Sequence, residues 1–101
     1  MQSLFFEAIA PVRRSVLAVI HTSPELQTQQ ANLVARLRRQ LTHTFEPELS
    51  ALDSSAAAEV LELLDLHTSW ETWERLRRWQ RLSIERSRRL VIGLVTQDLE
   101  R

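Results

Sequence analysis

Apolar residues recur every three or four positions along most of the chain, the repeat of an α-helix with one face in a core. Leu4, Phe5, Ala8, Ile9, Val12, Val16, Leu17 and Ile20 set this spacing over residues 3 to 21. Pro11 falls inside the pattern. A proline in a helix interior removes one N–H donor and crowds the preceding turn, so a kink is expected, or two short helices meeting near Ala10. Ser23-Pro24-Glu25 reads as a helix start: a hydroxyl cap, a ring already set at helical φ, and a carboxylate at the positive end of the dipole.

The second helix is expected from about Pro24 to Phe45, on the apolar line Leu26, Leu33, Val34, Leu37, Leu41 and Phe45. Its residues Gln27 to Asn32 are polar nearly all round and should face solvent. Glu46-Pro47 breaks it, and Glu48 to Leu52 has room for one turn. Asp53, Ser54 and Ser55 offer caps for a long third helix, about Ser55 to Gln80. After a break at Leu82-Ser83, a fourth helix runs to about Leu99, with Glu85 in its first turn. The pattern thus predicts an all-α fold of about four main helices, in a single domain over residues 1–101.

The third and fourth helices are apolar over an unusually wide arc. Val60, Leu61, Leu63, Leu64, Leu66, Trp70, Trp73 and Leu76 lie on one; Ile84, Leu90, Val91, Ile92, Leu94, Val95 and Leu99 on the other. An arc that wide implies contacts on two sides, one within the domain and one with something else. Glu71 with Arg75, Glu74 with Arg78, and Glu85 with Arg89 are acid-first pairs four apart, suited to solvated faces. Gly93, the only glycine, sits mid-helix, where it either lets another helix approach closely or is simply tolerated. Trp70 and Trp73 read as core, as interface anchors or as pocket wall. Trp79, among charges, should be at least partly exposed.

Composition narrows the chemistry. One glycine and three prolines leave little material for β-turns. The absence of cysteine excludes disulfides, thiolate metal sites and a cysteine nucleophile. No apolar run approaches the ~20 residues of a membrane-spanning helix. Thirteen basic residues, all arginine, balance thirteen acidic ones, which argues against a dedicated nucleic-acid binder. Residues 72 to 95 have the rhythm of a helix-turn-helix, but the first helix is too long and the second turns solidly apolar after Arg89. His21, His43 and His67 lack the i, i+4 spacing of a helical metal pair, and adjacent His67, Thr68 and Ser69 point to different faces. No catalytic residue, metal site or cofactor is expected.

Ser69, Trp70, Glu71, Trp73, Leu76, Arg77, Leu82 and Ser83 form a segment similar to the end of the effector domain in TetR-family transcriptional regulators. The stretch FFEAIAPVRRSVLAVI, with Ala10-Pro11 ahead of Arg13, resembles an earlier helix of that domain. The resemblance implies a cytoplasmic regulator's ligand-binding and dimerisation domain. Its last two helices would pair with those of a second copy as an intersubunit four-helix bundle, and it would bind a small apolar effector. It implies DNA binding only through an N-terminal head, and no segment before residue 50 carries a recognition-helix pattern. A pocket is expected between Phe5, Phe6 and Ile9 on the first helix and His67, Trp70 and Trp73 on the third. The dimer seam is expected through Ile84, Arg88, Val91, Ile92, Val95 and Leu99. A stand-alone helical adaptor with no ligand is the other reading, as is a small helix-turn-helix DNA-binding protein.

Overall fold

The computed structural model describes residues 3–100, and these form helices and their connections with no strand. In order they are α1 (Ser3–Val19), closed by a 3₁₀ turn at Ile20–Thr22, α2 (Pro24–Thr44), the short α3 (Glu46–Ser50), α4 (Ser54–His67), α5 (Trp70–Glu74) and α6 (Ile84–Leu99). The fold is all-α, with six helices where the spacing predicts about four.

Three boundaries lie where the cap residues put them. Ser23 Oγ accepts from the Leu26 N–H at 3.3 Å, Asp53 Oδ1 from Ala56 at 2.8 Å, and Ser83 Oγ from Arg86 at 3.1 Å. Each cap satisfies a backbone donor with no partner in the helix, an effect of about 1 kcal/mol. Pro11 does not divide α1, which runs through it as one helix. Pro11 is exposed, so water can reach the carbonyl that its missing donor would have bonded.

The long third helix is two helices. Ser69 Oγ and Thr72 Oγ1 donate to the Leu66 carbonyl at 2.7 and 2.6 Å, and Ser69 Oγ accepts from the Thr72 N–H at 3.2 Å. These side chains replace the ladder bonds that would carry the helix onward. The turn sends the two halves of the apolar arc into different clusters. Phe6, Trp70 and Trp73 form one, with Ile9, Leu17, Ile84 and Val91 packed on it. Leu49, Val60 and Leu64 form the other, with Phe45, Leu61, Val95 and Leu99 among its neighbours. Helix α6 therefore spans both clusters, its N-terminal half on the first and its C-terminal half on the second.

Beyond α5 the chain widens into a π-helical turn, Arg75–Trp79. The Gln80 N–H reaches back five residues to the Arg75 carbonyl at 2.8 Å, and Leu82 reaches back six to Leu76 at 3.0 Å. Arg81 closes the turn in the left-handed region at φ 56°. That conformation costs a residue with a Cβ about 1 kcal/mol. Arg77 Nη1 donates to the Leu82 carbonyl at 2.7 Å, tying the turn to the start of the next segment.

Helix α2 packs differently from the rest. None of its 21 residues is buried. Arg38 ties it to α4 by ion pairs with Glu62 and Asp65. The molecule is a slab, 40 × 33 × 17 Å, with a radius of gyration of 14.7 Å against about 12.7 Å for a compact chain of this length. Its surface is 7024 Å². A compact monomer of its mass exposes about 5,900 Å², an excess here of roughly 1,100 Å².

Candidate functional site

Because α2 stands off the two clusters, a cleft of about 820 Å³ opens beneath it, bounded by α1, α2, the α4–α5 turn and α6. Phe6, Trp73, Val91, Ile92 and Val95 make its apolar floor, and Leu41 and Phe45 close the α2 end. Arg36, Arg39, Gln40, His43 and Thr44 edge it on α2; His67, Thr68, Ser69 and Thr96 edge it opposite.

The floor is held by charge pairs beneath it. Trp73 Nε1 donates to Glu7 Oε2 at 2.8 Å, fixing the indole against α1. Arg77 donates from Nε and Nη2 to Glu7 Oε1, at 3.0 and 2.6 Å. The Arg77 hydrogen bonds hold the Glu7 carboxyl below its ordinary value of 4.5, against an opposing push from partial burial. Arg14 grips Glu74 with two bonds of 2.7 Å each, and this hydrogen-bonded carboxylate raises the Arg14 guanidinium's affinity for its proton. Glu74 is buried. Its expected pairing with Arg78 on a solvated face is overturned, because that side of α5 lies against α1. Arg78 instead stacks over Trp79, 5.2 Å from the ring centre, and Trp79 is exposed.

His67 joins the ends of two helices at the cleft edge. Its Nδ1 lies 2.6 Å from Asp98 Oδ2, and Asp98 is only 4% exposed. With the carboxylate accepting, Nδ1 carries the proton and Nε2 remains for another partner.

Of the expected pocket residues, Phe6, His67 and Trp73 line this cleft. Phe5, Ile9 and Trp70 line a second, smaller cavity of about 60 Å³ between α1, α2 and the α4–α5 turn, and Phe6 borders both. Trp70 Nε1 and Gln30 Oε1 are buried in the lining of that cavity, neither with a hydrogen-bond partner. The space is large enough for water to reach them. Of the expected seam residues, Ile84, Val91, Val95 and Leu99 are half-buried and pack on this chain's own clusters. Arg88 is half-buried, and Ile92 is 51% exposed at the cleft.

Arg36, Arg39, Thr96 and Asp98 carry no site signal of their own in the sequence, and His43 shows there only as a histidine without a metal-pair spacing. The available signal was the spacing of Arg36, Arg39 and His43 at i, i+3 and i+7, which places three basic side chains on one face of α2. Among the described residues, no group of three or more His, Asp or Glu side chains could hold a metal ion, and no helix is long and apolar enough to cross a membrane. No family model, curated protein or solved structure matches the chain.

Proposed function

We propose that this chain is the effector-binding and dimerisation domain of a transcriptional regulator of the TetR type, acting in the cytoplasm. The cleft carries the proposal. Its volume of about 820 Å³ falls within the ~300–1,000 Å³ of small-molecule sites, and an apolar floor with a few polar groups at the edge is their usual make-up. The residues behind the family resemblance build this site. Ser69 caps α5, Trp73 forms the floor, and Trp70 packs beside it.

A homodimer accounts for the surplus surface. The excess of roughly 1,100 Å² is comparable with the ~800 Å² that each partner buries in a standard interface. On α6, Leu90 is 43% exposed, and a Cβ placed on Gly93 meets no neighbouring atom within 4 Å, which leaves room for a second helix. An effector in the cleft touches α2 and α6 together, and the His67–Asp98 bond relays a shift of α6 to the end of α4. DNA contact in this scheme belongs to a separate head.

Sedimentation of the chain at micromolar concentration, with and without an apolar fluorophore, tests both halves. A dimer that takes up the fluorophore with a change in tryptophan emission is expected. A well-folded monomer that takes up no fluorophore overturns the proposal.

A further inference from the structure

The charge around the cleft is one-sided. Arg36, Arg39 and His43 line the α2 edge, and His67 faces the same space from the end of α4. No carboxylate is in the lining; the one behind it, Asp98, is buried and bonded to His67. Among the described residues, neither Arg36 nor Arg39 has an ion-pair partner, so both guanidinium groups stand open beside an apolar floor.

We propose that the ligand of this cleft is an amphipathic carboxylate: an apolar tail on the Phe6–Trp73–Val95 floor, and an anionic head against Arg36 and Arg39. The inference rests on the effector-site reading and names the ligand class. A guanidinium presents paired N–H donors in the plane that a carboxylate accepts, and charge-assisted bonds of this kind are about twice as strong as neutral ones. His67 adds a further polar contact from the cleft edge, because Asp98 engages Nδ1 and leaves Nε2 available to a ligand. The same edge selects against other amphiphiles. A cationic head meets like charge, and a neutral head forgoes the ionic bonds that the carboxylate makes.

The test is isothermal titration of the full chain with dodecanoate, dodecanol and dodecyltrimethylammonium, each below its micelle concentration. Dodecanoate is expected to bind at least tenfold more tightly than dodecanol, and the cation to bind least. The double variant Arg36→Gln/Arg39→Gln, both sites being exposed, should keep its helicity. It should lose about tenfold in dodecanoate affinity with dodecanol unchanged. Tryptophan emission of a Trp79→Phe variant, left with Trp70 and Trp73 at the cleft side, gives an independent readout of occupancy. Equal binding of dodecanoate and dodecanol would overturn the anion inference and leave an apolar effector site standing. Failure to bind any of the three, as when a second copy fills the cleft, would overturn the inference and the effector-site reading together.

Discussion

Ser87 is wholly buried on α6, and its hydroxyl meets no partner. A buried hydroxyl without a hydrogen bond costs about 1–3 kcal/mol of desolvation. Ser87→Ala removes that cost at nearly the same volume. The variant is expected to be more stable by about 1 kcal/mol, read as a higher urea midpoint with an unchanged slope. A lower midpoint would mean that the hydroxyl is satisfied in solution. The buried carboxylates contrast with it, since Glu74 is held by Arg14 and Asp98 by His67. For those two, truncating one partner leaves an uncompensated buried charge, a much larger loss than a missing surface pair.

At the scale of elements, α1 is fastened to α5 and the π-helical turn through Glu7, which bonds Trp73 and Arg77. Because Arg77 holds the folded Glu7 carboxyl below 4.5, its contribution is complete above that pH and fades as pH falls through the lower folded value. Glu7→Gln should therefore melt at a lower temperature than the parent near neutrality, and the gap should narrow on acidification. Parallel melting curves across the acid range would remove Glu7 from this role. The helix starts at Ser23, Asp53 and Ser83 were readable beforehand because a cap is a bond between residues three apart. The division at Thr68–Ser69 was not, since the apolar spacing continues across it and the competing side-chain bonds leave that spacing unchanged. Trp70 and Trp73 read as core because few other positions can hide so much apolar area. The partner of Glu74 was hidden because it depends on which side of α5 meets α1, sixty residues away. Arg36 and Arg39 are illegible in the sequence for a similar reason: arginines on a helix face look like an ordinary solvated stripe until a cleft opens beside them.

At the scale of the molecule, a slab 17 Å thick with two modest clusters leaves a large part of its surface without a covering layer. The outer side of α6 is where the proposed second copy would sit, because a Cβ on Gly93 would meet nothing within 4 Å beyond its own helix backbone. Gly93→Leu is expected to leave the helical circular dichroism intact and to shift sedimentation from dimer to monomer. Unchanged association would move the seam to another face. The turn at Arg75–Trp79 has a reach beyond its own five residues. It holds one residue more than an α-helical turn, and each residue swings the chain about 100° around the axis. That spare residue works as a rudder, setting the heading on which the backbone leaves Trp79 and so the bearing of the last wall of the cleft.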